Sequence, residues 1–138
     1  DIARIRVSKG QVDEALGMME EALQDYEELG DLDGEANVRW SRASLRMQRG
    51  DAQGAFEDLD ASYRINLQIG RLDGICVVGV SLGQLLCAAG HRDAGIPILE
   101  RSRDGFRQLG QEESATAVQG LIDQFDASGG TGSDADPA

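Results

Sequence analysis

The chain has 138 residues, enough for one ordinary domain, and it carries a formal net charge of −12. This charge argues against a function that depends on long-range attraction to nucleic acid or to an anionic membrane surface. Only two prolines occur, which favours helices, and no apolar run approaches the roughly 20 residues that a membrane-spanning helix needs.

The two cysteines, Cys76 and Cys87, are eleven residues apart in the sequence. On one helix this separation is about 16 Å, far beyond the reach of a disulfide bond. Two unpaired thiols are typical of a reducing compartment, so we expect a cytoplasmic protein. Lys9 is the only lysine among 13 basic residues, and this arginine-rich composition suggests a GC-rich bacterial source.

Glycine recurs every twenty residues and divides the chain into elements, at Gly10, Gly30, Gly50, Gly70, Gly90 and Gly110. The flanking residues alternate: "LGDLDG" at 29–34 returns as "IGRLDG" at 69–74. The repeat is therefore forty residues long, with two helices and a turn after each. Glycine suits such turns because a helix often ends on a residue with positive φ. Asp31, Asp51 and Asp93 follow three of the glycines, and we expect them to cap the next helix.

In chain order, residues 1–9 are predicted to end an earlier helix, with a turn at Gly10. An apolar stripe of helical period then runs from 12 to 26 and returns at 52–67 and 96–109, which indicates three versions of one helix. Partner helices are predicted over 33–49, 73–89 and 113–127. The final stretch "SGGTGSDADPA" has no large apolar side chain. We therefore predict a helical repeat domain over 1–127 and a disordered Gly/Ser/Asp-rich tail over 128–138.

This pattern resembles the tetratricopeptide repeat in the forty-residue form found in large bacterial signalling proteins. The residues that carry the resemblance are Gly50-Asp51, Ala55, Leu59 and Ser62 for the second helix of a pair, and Leu82-Gly83 for the first. The helix at 33–49 departs from the family, because Arg42-Ala43 stands where Leu-Gly is expected. The resemblance implies an all-α fold: a right-handed superhelical array of antiparallel helical hairpins, a tetratricopeptide-like α-solenoid.

The resemblance also implies a function, because the first helix of each pair in this family lines a concave groove that binds a peptide or helix. Carried over position by position, the groove would be lined by Asn37, Trp40, Ser44, Met47, Val77, Val80, Gln84 and Cys87. This mostly apolar or small set suits an amphipathic helix or an extended apolar segment. The alternative for Trp40 is that it is plain core between repeats.

We therefore predict a non-enzymatic scaffold that binds a protein or peptide partner, as a module of a larger bacterial regulatory protein. The alternative function is self-assembly into a homo-oligomer, through stacking at the open end of the repeat array.

Four arginines of the helix at 33–49 form a second candidate site, a charged patch of Arg39, Arg42, Arg46 and Arg49 on one stripe. The preceding helix carries a similar acidic stripe of Glu14, Glu21, Asp25 and Glu28. The pairs Glu28–Arg39, Asp25–Arg42 and Glu21–Arg46 would form an intramolecular ladder that sets the register of the hairpin. One alternative is a docking site for a carboxylate-rich or phosphorylated partner, which guanidinium groups bind bidentately. The other is that both stripes are simply solvated faces.

Catalytic signals are weak. His91 is the only histidine, and with Cys87 it supplies two potential ligands where a zinc site needs three or four. Neither a phosphate-binding loop nor a dinucleotide fingerprint is present. We predict no catalytic residue, no metal and no cofactor.

Overall fold

The computed structural model describes residues 2–134, with side chains described for residues 10–128, and all regular structure in this range is helical. The helices are α1 (Ile2–Leu29), α2 (Leu32–Gln48), α3 (Ala52–Ile69), α4 (Leu72–Ala88), α5 (Arg92–Gln108) and α6 (Glu112–Asp134). The starts of α2, α4 and α6 are forty residues apart, as are those of α3 and α5. The all-α prediction and the forty-residue period are thus confirmed. Within residues 2–134, no helix combines the length and the apolar character that crossing a bilayer requires.

Glycines with positive φ end five of the helices. Gly30, Gly50, Gly70, Gly90 and Gly110 have φ values of 69°, 79°, 73°, 93° and 75°, where a Cβ atom is penalised. The predicted turn at Gly10 is wrong, because Gly10 lies inside α1, which is continuous from Ile2 to Leu29. Glycine inside a helix costs only about 1 kcal/mol relative to alanine, so a helix can pass through it.

Aspartates cap two of the helices that follow these turns. Asp31 accepts a hydrogen bond from the backbone N–H of Gly34 at 3.0 Å, and Asp51 accepts one from Gly54 at 2.9 Å. These two predicted caps are confirmed. The third, Asp93, lies instead in the first turn of α5, where its charge complements the positive end of the helix.

The chain divides into two compact units, Asp1–Ile69 (unit 1) and Gly70–Ala138 (unit 2). In unit 1, α2 packs against both α1 and α3. The buried apolar side chains of this unit are Val12, Leu23, Ala36, Ala43, Ala55, Leu59, Tyr63 and Ile65. Because α2 is the central helix of unit 1, polar residues on its two packed sides can find partners on α1 and on α3.

In unit 2, α5 packs against both α4 and α6. The core cluster consists of Cys76, Cys87, Leu99, Phe106, Ala115, Val118 and Ile122. Glycines let α4 and α5 approach closely: an added Cβ at Gly83 would lie 2.7 Å from Cγ of Leu99. Gly83 therefore lies at the contact between α4 and α5. It belongs to the Leu82-Gly83 pair, one of the motifs that carry the family resemblance.

The last helix is longer than the sequence indicated. We expected it to end at 127, but α6 continues to Asp134. It therefore extends into the segment 128–138 that was predicted to be a disordered tail. Residues 135–138 lie outside the described range.

Candidate functional site

The arginine stripe of α2 faces α3. Arg39, Arg42 and Arg46 all form ion pairs with the carboxylate of Asp58 on α3. Asp58 is only 1% exposed. Steps of three and four residues place the arginines on one side of α2, and this is a side that packs against α3.

Arg42 makes the closest contacts with this buried carboxylate. Its Nε donates a hydrogen bond to Oδ2 of Asp58 at 2.8 Å, and its Nη2 donates to Oδ1 at 2.7 Å, a bidentate arrangement. Nη1 of Arg46 donates to Oδ2 at 3.1 Å, and Nη1 of Arg39 donates to Oδ1 at 3.4 Å. The hydrogen bond to Asp58 raises the pKa of Arg42, against the opposing effect of burial. The carboxylate is thus fully hydrogen-bonded despite its burial.

The ion pairs between α1 and α2 follow a different register from the predicted one. Nη1 of Arg42 binds Oε2 of Glu20 at 2.7 Å, whereas Asp25 was the predicted partner. Arg49 pairs with Asp13. The contact that Arg42 makes is five residues closer to the N terminus of α1 than the sequence predicted.

The position of the turn explains this difference. Pairs across an antiparallel hairpin are centred on its connection, which lies at Gly30 and Asp31, between α1 and α2. The predicted pairs were Glu28–Arg39, Asp25–Arg42 and Glu21–Arg46. They were centred on residues 33 and 34, which lie inside α2, and the prediction of these pairs is therefore wrong.

All four arginines of the charged patch nevertheless contact carboxylates of unit 1. Arg39 also binds Glu35, four residues earlier on the same helix, at 3.0 Å, and Arg46 donates to the backbone oxygen of Gly54 at 3.2 Å. Intramolecular pairing is therefore observed, though with other partners than the ladder proposed. Docking of an external anion would have to compete with these contacts.

Sequence reasoning missed Asp58, the residue that organises the patch. A signal was present: Asp58 lies three residues after Ala55 and four before Ser62, on the small-residue stripe that the α3 pattern assigns to the core. A carboxylate at a core position requires a buried cation, and the arginine stripe of α2 supplies one.

The remaining candidates on α2 form a separate, outward stripe. Asn37 and Ser44 are exposed, Trp40 is half-buried, and Met47 is 48% exposed. We call these four residues the α2 face. Their exposure makes them available to a partner.

The corresponding candidates on α4 are less uniform. Val77 is 43% exposed, whereas Val80 and Gln84 are half-buried, and Val80 packs against the core cluster of unit 2. We call these three residues the α4 face. The prediction that Cys87 lines a groove is wrong, because its side chain is buried at 6% exposure. The missing side chain of Gly95 makes room for it: a Cβ there would lie 2.6 Å from Sγ of Cys87.

Both thiols are structural in character. Cys76 and Cys87 are free and buried, and burial raises the pKa of each thiol above its ordinary value of 9.0. Since the thiolate is the reactive species, both side chains behave at neutral pH as small apolar groups of the core.

The other candidate features among the described residues are His91 and an open cleft. His91 is exposed at the start of α5 while Cys87 is buried, and within this part of the chain no group of three or more His, Cys, Asp or Glu side chains could hold a metal ion. An open cleft of about 430 Å³ is lined by Leu16, Arg46, Arg49, Gly50 and Asp51. Its two arginines already bind Asp58 and Asp13.

Comparison with protein-family models, with curated proteins and with solved structures finds no match to this chain. Its function is therefore inferred from the surfaces described above.

Proposed function

We propose that this protein is a non-enzymatic interaction module built from tetratricopeptide-like helical hairpins, and that the α2 face of unit 1 and the α4 face of unit 2 each bind an apolar segment of a partner protein. The observation that carries the proposal is the exposure of large apolar side chains on these faces, 48% for Met47 and 43% for Val77. A partner that covers either side chain removes apolar surface from water, which favours binding.

The internal repeat supports the proposal. The two faces occupy equivalent positions forty residues apart, with Asn37 matching Val77, Trp40 matching Val80 and Ser44 matching Gln84. Tryptophan is enriched among the residues that dominate binding energy, and methionine adapts its shape to different partners. An amphipathic helix or an extended apolar segment is the occupant that these side chains suit.

The charged patch supports the same assignment, because its arginines already bind carboxylates within unit 1. Because Arg39, Arg42 and Arg46 bind Asp58, contact with the uncharged side chains of the α2 face is the interaction left to the outer side of α2. The two free, buried thiols suit a reducing compartment such as the cytoplasm.

Trp40 provides a direct test, because it is the only tryptophan in the chain. Peptides selected from a display library against the full chain serve as ligands, and the fluorescence of Trp40 is recorded during titration. We expect the emission to shift on binding. We expect Met47→Glu to weaken binding by about tenfold, since the new carboxylate would be buried against apolar groups.

The matched control is Leu109→Glu, which alters an apolar residue of similar exposure, 39%, outside both faces. It should leave the affinity unchanged. Selected peptides that bind without altering Trp40 fluorescence, and that bind Met47→Glu as well as the unaltered chain, would contradict the proposal.

A further inference from the structure

A separate surface lies on α1, in unit 1. Ala15, Met18, Ala22 and Asp25 follow each other at steps of three, four and three residues and so share one side of the helix. We call this stripe the open face of α1. Met18 is 65% exposed, Asp25 is exposed, and the two alanines are only partly buried.

The same stripe is buried in α3. Forty residues further on, Ala55, Asp58, Ser62 and Ile65 have exposures of 0%, 1%, 0% and 8%. The preceding helix, α2, covers them: its arginines bind Asp58, and Oγ of Ser62 donates to the backbone oxygen of Ala36 at 2.9 Å. The stripe of α3 is therefore the surface on which the preceding helix packs.

The stripe is covered in α5 as well. Its members there are Gly95, Ile98, Ser102 and Gly105, of which three are buried and Ile98 is half-buried. The preceding helix, α4, again makes the contact, with Cys87 against Gly95 and Cys76 against Gly105. In both units, the stripe receives a helix.

In α1 the contacts with α2 come from a different side. Asp13 and Glu20 bind the arginines of α2, and Leu23 is buried at 5% exposure. The open face points away from these residues. Each residue turns the helix by about 100°, so Met18 and Glu20 point in directions that differ by about 160°. Among the residues that the structure describes, no helix covers on α1 the surface that receives a helix in α3 and α5.

The charge beside the open face indicates the kind of partner that would bind there. Glu14, Glu21 and Glu28 run along one edge of the stripe, next to Asp25, and all four are exposed. None of them forms an ion pair within residues 10–128. A second copy of this chain, with its net charge of −12, would bring further negative charge to this edge and be repelled.

We propose that the open face of α1 docks a basic amphipathic helix of a partner protein, seated as α2 is seated on α3. The small side chains of Ala15 and Ala22 allow the helix to approach closely, and Met18 supplies the apolar contact. Arginine or lysine residues along one edge of the partner helix pair with Glu14, Glu21 and Glu28. This site does not depend on the function proposed for the α2 and α4 faces.

The probe is a fluorescent synthetic helix of about 18 residues, five turns, with leucine and alanine on one side and arginine along the edge. Its anisotropy is measured against the full chain. We expect saturable binding that weakens with added salt. The double variant Glu21→Arg/Asp25→Arg should weaken binding by about tenfold, because like charges then face each other.

The matched control is Glu57→Arg/Glu100→Arg, which changes the net charge equally at exposed positions on α3 and α5 and should leave the affinity within about twofold. Met18→Gln should weaken binding, whereas Leu109→Gln should not. Circular dichroism confirms that each variant is folded.

Three results would overturn the proposal: no binding of the probe, equal weakening by both double variants, or a dimer in light scattering that becomes a monomer in Met18→Gln. The second result would indicate only diffuse attraction to an acidic protein. The third would assign the open face to a second copy of the chain.

Discussion

Asp58 joins α3 to three arginines of α2 through hydrogen bonds to both of its carboxylate oxygens. We expect Asp58→Asn to lower the free energy of unfolding by about 3–5 kcal/mol, because the buried guanidinium of Arg42 would lose its bidentate counter-charge and keep only the exposed Glu20. Urea unfolding followed by circular dichroism measures this loss.

Asp60→Asn is the matched control on the same helix. Asp60 pairs with Arg64, which is 76% exposed, four residues later, and such surface pairs contribute only about 0.3–0.5 kcal/mol. Equal losses in the two variants would show that burial of Asp58 has no special energetic role.

At this scale the sequence predicted the arginine stripe but not its partner. The spacing of Arg39, Arg42 and Arg46 is enough to place them on one side of α2. Acidic residues on α1 or on α3 could form ion pairs with these arginines. The ten acids between residues 13 and 35 led to the prediction that the partners lie on α1. The choice of Asp58 depends on which side of α2 faces α3, and this is a property of packing rather than of spacing.

At the scale of elements, the helices were predictable because two signals place their ends at the same residues. These signals are the helical period of the apolar side chains and the positions of the glycines. The predicted bounds 33–49 and 73–89 differ by one residue from those of α2 and α4. The errors are at Gly10 and at the end of α6. At Gly10 the prediction relied on glycine alone, and glycine tolerates a helix at a cost of about 1 kcal/mol. For the end of α6 it relied on the lack of large apolar side chains in a stretch rich in Gly, Ser and Asp.

Two glycines inside helices of unit 2 should respond in opposite ways to alanine. A Cβ at Gly95 would lie 2.6 Å from Sγ of Cys87 and 2.8 Å from the backbone oxygen of Gly83, so Gly95→Ala should destabilise the protein by about 1–3 kcal/mol. At Gly120 a Cβ would meet nothing within 4 Å, so Gly120→Ala should stabilise α6 by up to about 1 kcal/mol.

Thermal and urea unfolding of these two variants measure the difference. Equal stability of Gly95→Ala and Gly120→Ala would contradict the close approach of α4 and α5 at Gly95.

At the scale of the whole molecule, unit 2 contains a complete core. Each of its helices packs against another helix of the unit, and its core cluster draws on α4, α5 and α6. We expect a fragment of residues 70–138 to fold by itself and to unfold in one cooperative transition, as compact domains do.

Circular dichroism during urea unfolding of this fragment tests the expectation. Leu99→Asp is the control, because Leu99 is 0% exposed and an unpaired carboxylate in its place should abolish folding. A fragment that lacks helical signal, or that unfolds without a sigmoidal transition, would show that unit 2 depends on the rest of the chain.

The equal spacing of the positive-φ glycines constrains how the length of this protein can change. Removal of one residue within α3 or α5 would rotate the rest of that helix by about 100° relative to its neighbour, and its inward side chains would then point into solvent. Insertion or loss of a full forty-residue block would instead keep every side chain in phase. Descendants of this sequence should therefore differ in length by whole duplicated or deleted hairpins, while single-residue gaps should be confined to the five turns.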